Sequence, residues 1–304
     1  MCENYFLKYM VSLPKISIGV PVYNGENFIK SRLDSILNQS FTDFEVIISD
    51  NNSTDLTLEI CEEYAKKDKR IRLTKQEKNI GLFWNYKFVL EHSIGDYFVI
   101  ANVDDLWEKD FLLKNFEILE SNPKIVVSMG KITRFGSFDT FDEKKSDNFF
   151  TRIYKKNRRK LRPLNILSIS GNYESKASFC LRKYNFWIQF GLFRRQELQS
   201  SMMDSPFYGW DYAYVLNVLR HGDVFVHDLP LMKFYSKGAS GQGISEFLQQ
   251  QKLSKQYFFL PHSPLTNWCI RNIGIKFFLK NIDFFIKLNF LAMISMIIDM
   301  TKKS

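Results

Sequence analysis

Cysteine is scarce in this chain and never closely paired. Cys2, Cys61, Cys180 and Cys269 lie far apart, with no C-x-x-C between any two. That spacing makes a small zinc module improbable and gives a disulfide framework no support, so a reducing compartment is the simpler setting. No run of about 18 uncharged apolar residues occurs, and no spanning helix is expected. The N-terminal stretch MCENYFLKYMVSLPK carries acidic Glu3 and no uninterrupted apolar segment, so no signal peptide is expected. There is no G-x-x-x-x-G-K-[ST], which argues against a P-loop kinase. No G-x-G-x-x-G follows the first apolar run, which counts against a dinucleotide dehydrogenase. Internal repeats and long low-complexity tracts are missing as well.

What is present is a chain of 304 residues, 45% apolar, with a formal charge of +9. Its length suits one large domain or two modest ones with a buried core. The positive excess points to an anionic partner: nucleotide phosphates, lipid headgroups or nucleic acid. Nucleic acid lacks any recognised motif here and is not expected as a partner.

Residues 16–22, ISIGVPV, and 44–49, FEVIIS, are short β-branched apolar runs that read as buried strands. Residues 71–73 and 97–101 supply two more. Helical spacing of apolar residues fills the intervals: Phe28, Ile29, Leu33, Ile36 and Leu37, then Leu56, Ile60 and Tyr64, then residues 82–93. Strands alternating with helices predict βαβ units and a mostly parallel sheet with helices on both faces. In such sheets ligands bind at the carboxyl ends of the strands. The polar clusters fall there: Tyr23 and Asn24 after the first strand, Asp50, Asn51 and Asn52 after the second, and Asn102 to Asp105 after the fourth. By itself the Asp104–Asp105 pair suits either a solvated turn, an N-cap for a helix beginning near Glu108, or a hard-cation site.

The ordered set P-V-Y-N at 21–24, D-N-N-S-T-D at 50–55, N-x-G at 79–81 and N-V-D-D-L-W at 102–107 resembles the family-2 glycosyltransferases. The resemblance covers residues 15–130 well, weakens to about 240 and is absent beyond. It implies a GT-A fold, a nucleotide-sugar donor and inversion at the anomeric carbon. By position it implies that Pro21, Tyr23 and Asn24 line the nucleotide base, and that Asp50 accepts a hydrogen bond from it. Asn52, Asn79, Gly81 and Asn85 fall near the donor. Asn102 stands where the family's DxD motif has its first, ribose-binding aspartate, and so brings no charge. Asp104 takes the metal position with Asp105 beside it, implying Mn²⁺ or Mg²⁺. Tyr23 suits either stacking on the base or a half-buried core position; Asp55 reads as a cap or turn residue and Trp107 as packing.

Direct displacement needs a carboxylate near the acceptor hydroxyl. F-Y-G-W-D at 207–211 resembles the family segment that carries it, which makes Asp211 the candidate base, with Asp204 in reserve and a plain N-cap as the alternative for Asp211. Gly191 to Arg195 resembles the family strand that ends near the donor sugar. No Q-x-x-R-W occurs, and that motif accompanies polymerising, membrane-embedded members, so single-sugar addition is favoured. The rival readings are a nucleotidyltransferase and a non-catalytic glycan-binding module.

Four segments are expected: an extension over 1–14, a nucleotide-sugar half over 15–130, an acceptor half over 131–245 and an amphipathic helical tail over 246–304. Arg152 to Arg162 holds seven basic residues and no acid, either a solvated loop or a phosphate clamp. In the tail, Lys276, Lys280, Asp283 and Lys287 recur at helical steps beside a broad apolar surface, including LNFLAMISMII at 288–298. That pattern suits a helix in a membrane interface, or one that covers the domain or seams a dimer. The expected setting is the cytoplasm, peripheral on the inner face of the cell membrane, with a glycan or lipid-linked acceptor.

Overall fold

The computed structural model describes residues 13–135, 166–183, 185–235 and 260–303, with the side chains of 298–303 outside the described set. The basic run 152–162 therefore lies outside the described residues, as do 1–12 and the first part of the expected tail.

Strands β1 (Ile16–Val22) and β2 (Phe44–Asp50) are buried along all seven residues each, as expected of parallel strands covered on both faces. Helices α1 (Ile29–Leu37), α2 (Thr57–Lys67) and α3 (Leu82–Glu91) connect these strands to β3 (Ile71–Lys75) and β4 (Tyr97–Ile100). The first four strands stand side by side as β3-β2-β1-β4, all parallel. The chain thus steps outward from β1 on one side and returns on the other as β4. Such a reversal opens a crevice at the carboxyl ends of the two central strands.

Pro21 sharpens that opening. The β1–β4 ladder runs from Ile16↔Tyr97 to Gly19↔Ile100, and the Ala101 N–H donates to the Gly19 carbonyl at 2.8 Å. Two residues on, along the same edge, Pro21 has no N–H to continue the ladder.

The sheet then continues through β5 (Leu106–Trp107), α4 (Phe111–Ser121), β6 (Ile125–Phe135), α5 (Tyr173–Lys183) and a short 3₁₀ turn at Phe186–Phe190. Next come β7 (Leu192–Arg194), α6 (Arg195–Ser201), α7 (Trp210–Val218) and β8 (Asp223–Tyr235). The full order is β3-β2-β1-β4-β7-β6-β8-β5. One sheet therefore runs through both expected halves, and residue 130 lies inside β6.

Strand β7 is antiparallel to β4, pairing Tyr97 with Arg194 and Phe98 with Phe193. Its Gly191 end, not its Arg194 end, consequently lies on the crevice side, which reverses the expected direction of this strand. Arg194 instead ties the opposite edge together, donating to the carbonyls of Ile125 at 2.9 Å and Leu119 at 2.6 Å.

Helices α8 (Ser263–Asn272), α9 (Ile275–Lys280) and α10 (Ile282–Lys303) form the C-terminal extension. Leu265, Cys269, Phe277, Phe284, Phe285 and Leu288 join the main core. Most of the apolar run after residue 287 also turns inward: Leu288, Leu291, Ala292, Ile294 and Met296 are buried. No helix among the described residues is long and apolar enough to cross a membrane. Cys61, Cys180 and Cys269 are buried free thiols.

Candidate functional site

The loops after β1 and β2 are knitted into one rim. Asn24 and Asn52 both adopt positive φ, +48° and +63°, which asparagine tolerates in tight turns. The Asn24 side-chain oxygen accepts the Thr54 N–H at 2.8 Å, and the Asn24 N–H donates to the Ser53 hydroxyl at 3.0 Å. Asp55 accepts from the backbone of Glu26 and Thr57, which makes it the turn residue expected. Burial opposes its ionisation, but the Thr57 hydroxyl and these N–H groups outweigh that and hold its carboxyl below the usual range. Tyr23 projects from this rim, 48% exposed, and is not a core tyrosine.

Asp50 closes β2 and is fully buried. Its Oδ2 accepts the Ser53 N–H at 3.1 Å, while Oδ1 has no hydrogen-bond partner among the described residues. A buried acceptor left unmet costs about 1–3 kcal/mol, so this oxygen is poised for a donor. Beside it the amide of Asn51 donates to Asn79 Oδ1 at 3.1 Å, and Asn51 Oδ1 accepts the Ile80 N–H at 2.8 Å. Asn79 thus spends its carbonyl on holding the loop into α3, where it also accepts from Gly81.

Neighbouring residues of α3 join the tips of β2 and β4. Asn85 donates to the Ser49 carbonyl at 3.0 Å, and the Tyr86 hydroxyl donates to Asn102 Oδ1. Asp50 and the Asn102–Asp105 turn therefore occupy the same end of the sheet. Burial pushes the Tyr86 phenol well above its ordinary range, and the charges of Asp104, Asp105 and Asp211 push it the same way. Asp211, distant in sequence, thus shares the electrostatic surroundings of the acidic pair.

Its placement has a local cause. Gly209 has φ +95°, a conformation that disfavours a side chain, and a Cβ there would meet Leu265 at 3.1 Å. The turn delivers Asp211 into the first turn of α7. Trp210 then packs edge-on against Phe83 and Tyr86, with ring centroids 5.1 and 5.7 Å away, locking α7 to α3. Asp204, the reserve candidate, is exposed on the preceding loop.

The two acids of the pair differ. Asp104 is half-buried; Asp105 is fully enclosed. Asp105 Oδ1 accepts the Tyr235 N–H at 3.1 Å, and Oδ2 has no partner among the described residues. Desolvation, then the Asp104 charge, raises the Asp105 carboxyl to about 7 against the opposing pull of Arg32. One accessible carboxylate and one orphan oxygen fit a hard divalent ion that takes its remaining ligands from phosphate and water. Among the described residues no group of three potential ligands supplies a complete metal cage.

Arg32 is a member of this site that the sequence motifs did not disclose. It is completely buried, donates to the Asp105 carbonyl at 3.1 Å and lies over the Trp107 ring, 4.0 Å from its centroid. Burial lowers its guanidinium to about 10 while Asp105 and Asp104 hold it charged. Trp107 is itself buried and stacked on Phe111 at 4.4 Å, the packing role expected. The signal for Arg32 was a cation on the apolar face of α1, among Ile29, Leu33 and Ile36.

A pH-dependent stability follows. The folded Asp105 holds its proton to about 7 against an ordinary value of 3.8, so the native state binds more protons between those limits. That group's contribution to stability is present at low pH and is lost as pH rises through the folded value. Arg32→Met removes the opposing charge and is expected to destabilise the fold by about 3 kcal/mol at alkaline pH, and by less below neutrality where Asp105 protonates. Urea denaturation on both sides of neutrality measures this; a pH-independent loss would dissociate Arg32 from Asp105.

The glycosyl transferase family 2 profile matches residues 17–175, just over half of the chain. The glycosyltransferase GlyA of Streptococcus pneumoniae is 30% identical over 148 residues, 46% of this chain and 20% of that protein. TuaG of Bacillus subtilis, whose name provisionally assigns it to teichuronic acid biosynthesis, is 37% identical over 106 residues, 35% of this chain and 42% of its own. Each likeness therefore covers less than half of the relative. Among solved structures, S. aureus TarS superposes with TM-score 0.55 at 19% identity, covering 73% of this chain and 60% of that one. The mannosyltransferase PcManGT of Pyrobaculum calidifontis, solved with GDP-Man and Mn²⁺, gives TM-score 0.56 at 17% identity, covering 94% and 73%. At these identities the superpositions establish the GT-A fold.

Proposed function

Because the chain belongs to glycosyl transferase family 2, we propose that it moves a single sugar from a nucleotide-diphosphate sugar, with UDP favoured, to an acceptor hydroxyl with inversion, in the assembly of a cell-surface polysaccharide or other glycan. The observation that carries this reading is the meeting of Asp50 and the Asn102–Asp105 turn at the end of the sheet where β1 and β4 part, joined there by Asn85 and Tyr86 of α3.

In this reading the orphan Oδ1 of Asp50 accepts the imide N–H of uracil, for which an acceptor-only carboxylate is suited. Exposed Tyr23 stacks on the base and Asn102 takes a ribose hydroxyl. Pro21, Asn24, Asn52 and Asn79 act on the nucleotide through the loops they shape. Asp104 would hold Mn²⁺ or Mg²⁺, with the Asp105 oxygen behind it; the ion when bound neutralises the leaving diphosphate. Asp211 takes the acceptor proton as the acceptor oxygen bonds to the anomeric carbon and the bond to the diphosphate breaks on the opposite face.

Crystal structures of S. aureus TarS with UDP and with UDP-GlcNAc, and the solved structure of PcManGT with GDP-Man and Mn²⁺, support a donor of this class. TuaG supports an envelope role by its name. A thermal-shift screen of UDP, GDP and dTDP sugars with and without Mn²⁺ tests the donor, since a ligand of the folded state raises its melting temperature. Asp50→Asn is expected to weaken UDP binding by about tenfold, the worth of one charge-assisted hydrogen bond, in calorimetric titration. Undiminished binding would remove Asp50 from the base contact. Release of pyrophosphate from a nucleoside triphosphate would replace the transferase reading with a nucleotidyltransferase.

A further inference from the structure

The C-terminal extension leaves a row of large apolar side chains in solvent. Ile275 and Leu279 on α9, then Ile282, Ile286 and Phe290 on α10, are exposed by 52%, 57%, 40%, 62% and 49%. Within each helix they recur at steps of four, so they share a face. The joint at Asn281 keeps helical bonding on both sides: its N–H donates to Phe277 and Phe278, and its carbonyl accepts from Phe284. The joint is also pinned to α5, because Asn281 bonds the Ser178 hydroxyl at 3.2 Å and Arg182 donates to the Lys280 carbonyl at 2.9 Å.

A lysine follows three of these residues directly, at 276, 280 and 287, all exposed. One residue is 100° of helical turn, so these lysines, with Asp283 after Ile282, form a second row alongside the apolar one. Lys287 pairs with Asp283 at 3.6 Å and Lys280 with Glu174 of α5 at 3.2 Å, exposed pairs that are worth little and leave the row net positive. From 263 to 303 the sequence has six basic and two acidic side chains. The opposite face, with Phe277, Phe284, Phe285 and Leu288, is committed to the core. A narrow apolar row flanked by three lysines and one aspartate, on helices fastened to the protein along their other side, matches a surface of acyl chains beneath anionic headgroups. A second copy of this chain fits less well, since a two-fold contact along the row brings two net-positive rows, three lysines and one aspartate each, toward each other.

We propose that α9 and α10 lie on an anionic lipid surface, with Ile275, Leu279, Ile282, Ile286 and Phe290 entering the acyl boundary and Lys276, Lys280 and Lys287 meeting phosphate headgroups. This contact is independent of the transferase reading, because none of these residues belongs to the strand-tip site.

Flotation of the full chain with vesicles of phosphatidylcholine, with and without phosphatidylglycerol, tests it. Binding is expected with the anionic vesicles and much less with the neutral ones. Ile286→Glu/Phe290→Glu is expected to lower the partition coefficient by about a hundredfold, since two buried apolar side chains are lost. Lys276→Gln/Lys280→Gln/Lys287→Gln should abolish the preference for anionic vesicles. Thermal melts check that the variants stay folded, which the exposure of these side chains favours. A chain that floats with neither vesicle overturns the proposal, as does undiminished binding by the folded Glu variant. Sedimentation showing a dimer that the Glu variant dissociates assigns the row to a second copy and overturns it equally.

Discussion

Asp211→Asn is expected to slow sugar transfer by roughly a thousandfold, the scale of a lost general base, while nucleotide-sugar affinity stays within about twofold of the parent. The asymmetry follows from position. Asp211 lies on α7 in the second half of the chain, whereas the proposed nucleotide contacts lie on the loops after β1, β2 and β4. Asparagine keeps the shape and the place in the first turn of α7 but cannot take the acceptor proton. Single-turnover transfer gives the chemical step, and calorimetry with the donor gives binding. Asp204→Asn, on the exposed loop, should leave both near parental values. An Asp211→Asn enzyme with normal turnover would remove this carboxylate from the chemistry and leave it as a helix-terminal residue.

Asp104→Ala is expected to lose both metal response and catalysis, with turnover down by about a thousandfold or more, because the charge of the leaving diphosphate is no longer neutralised. Asp104 is the accessible member of the pair, while Asp105 is enclosed and spends Oδ1 on Tyr235. The discriminating readout is linkage: Mn²⁺ should tighten UDP binding in the parent and leave it unchanged in Asp104→Ala. Equal Mn²⁺ dependence in both proteins would move the ion elsewhere. A cation near Asp105 also favours its ionised form, so metal binding should strengthen from pH 6 to pH 8, across the value of about 7 to which burial and Asp104 raise that carboxyl.

The first half of the fold was legible because parallel strands buried on both faces are near-continuous apolar runs. β1 and β2 follow the residues expected within one position, and α1 covers all but the first of the apolar residues that set its period. The second half was not. β5 and β7, two and three residues long, are too short to carry a period, and β7 enters the sheet antiparallel between β4 and β6. β8 contains Pro230, which reads as a break; the ladder pairs it with Lys131 and shifts register on either side of that residue.

Position at a strand tip was legible in the sequence, whereas for residues that arrive from helices only Asp211 was singled out as the candidate base, and by the resemblance of F-Y-G-W-D rather than by its period. The places of Asp50, Asp104 and Asp105 at strand tips follow from the apolar runs before them, while the roles proposed for them come from the resemblance. Tyr86 and Arg32 reach the same crevice from α3 and α1, and a helical period places them on a face without naming what that face meets. The tail divided in the same way. Its row of Lys276, Lys280, Asp283 and Lys287 was visible as a period, but the apolar run after it proved mostly buried, and the exposed apolar row runs beside the charged one.

A crystal of the chain grown with UDP and Mn²⁺ tests the central claim most directly, because anomalous scattering locates the ion independently of the protein phases. The predicted result is a manganese peak against the Asp104 carboxylate, with the diphosphate on its far side and the uracil imide facing Asp50 Oδ1. An ion and nucleotide bound away from the β1–β4 crevice, with Asp50 and Asp104 untouched, would contradict the account.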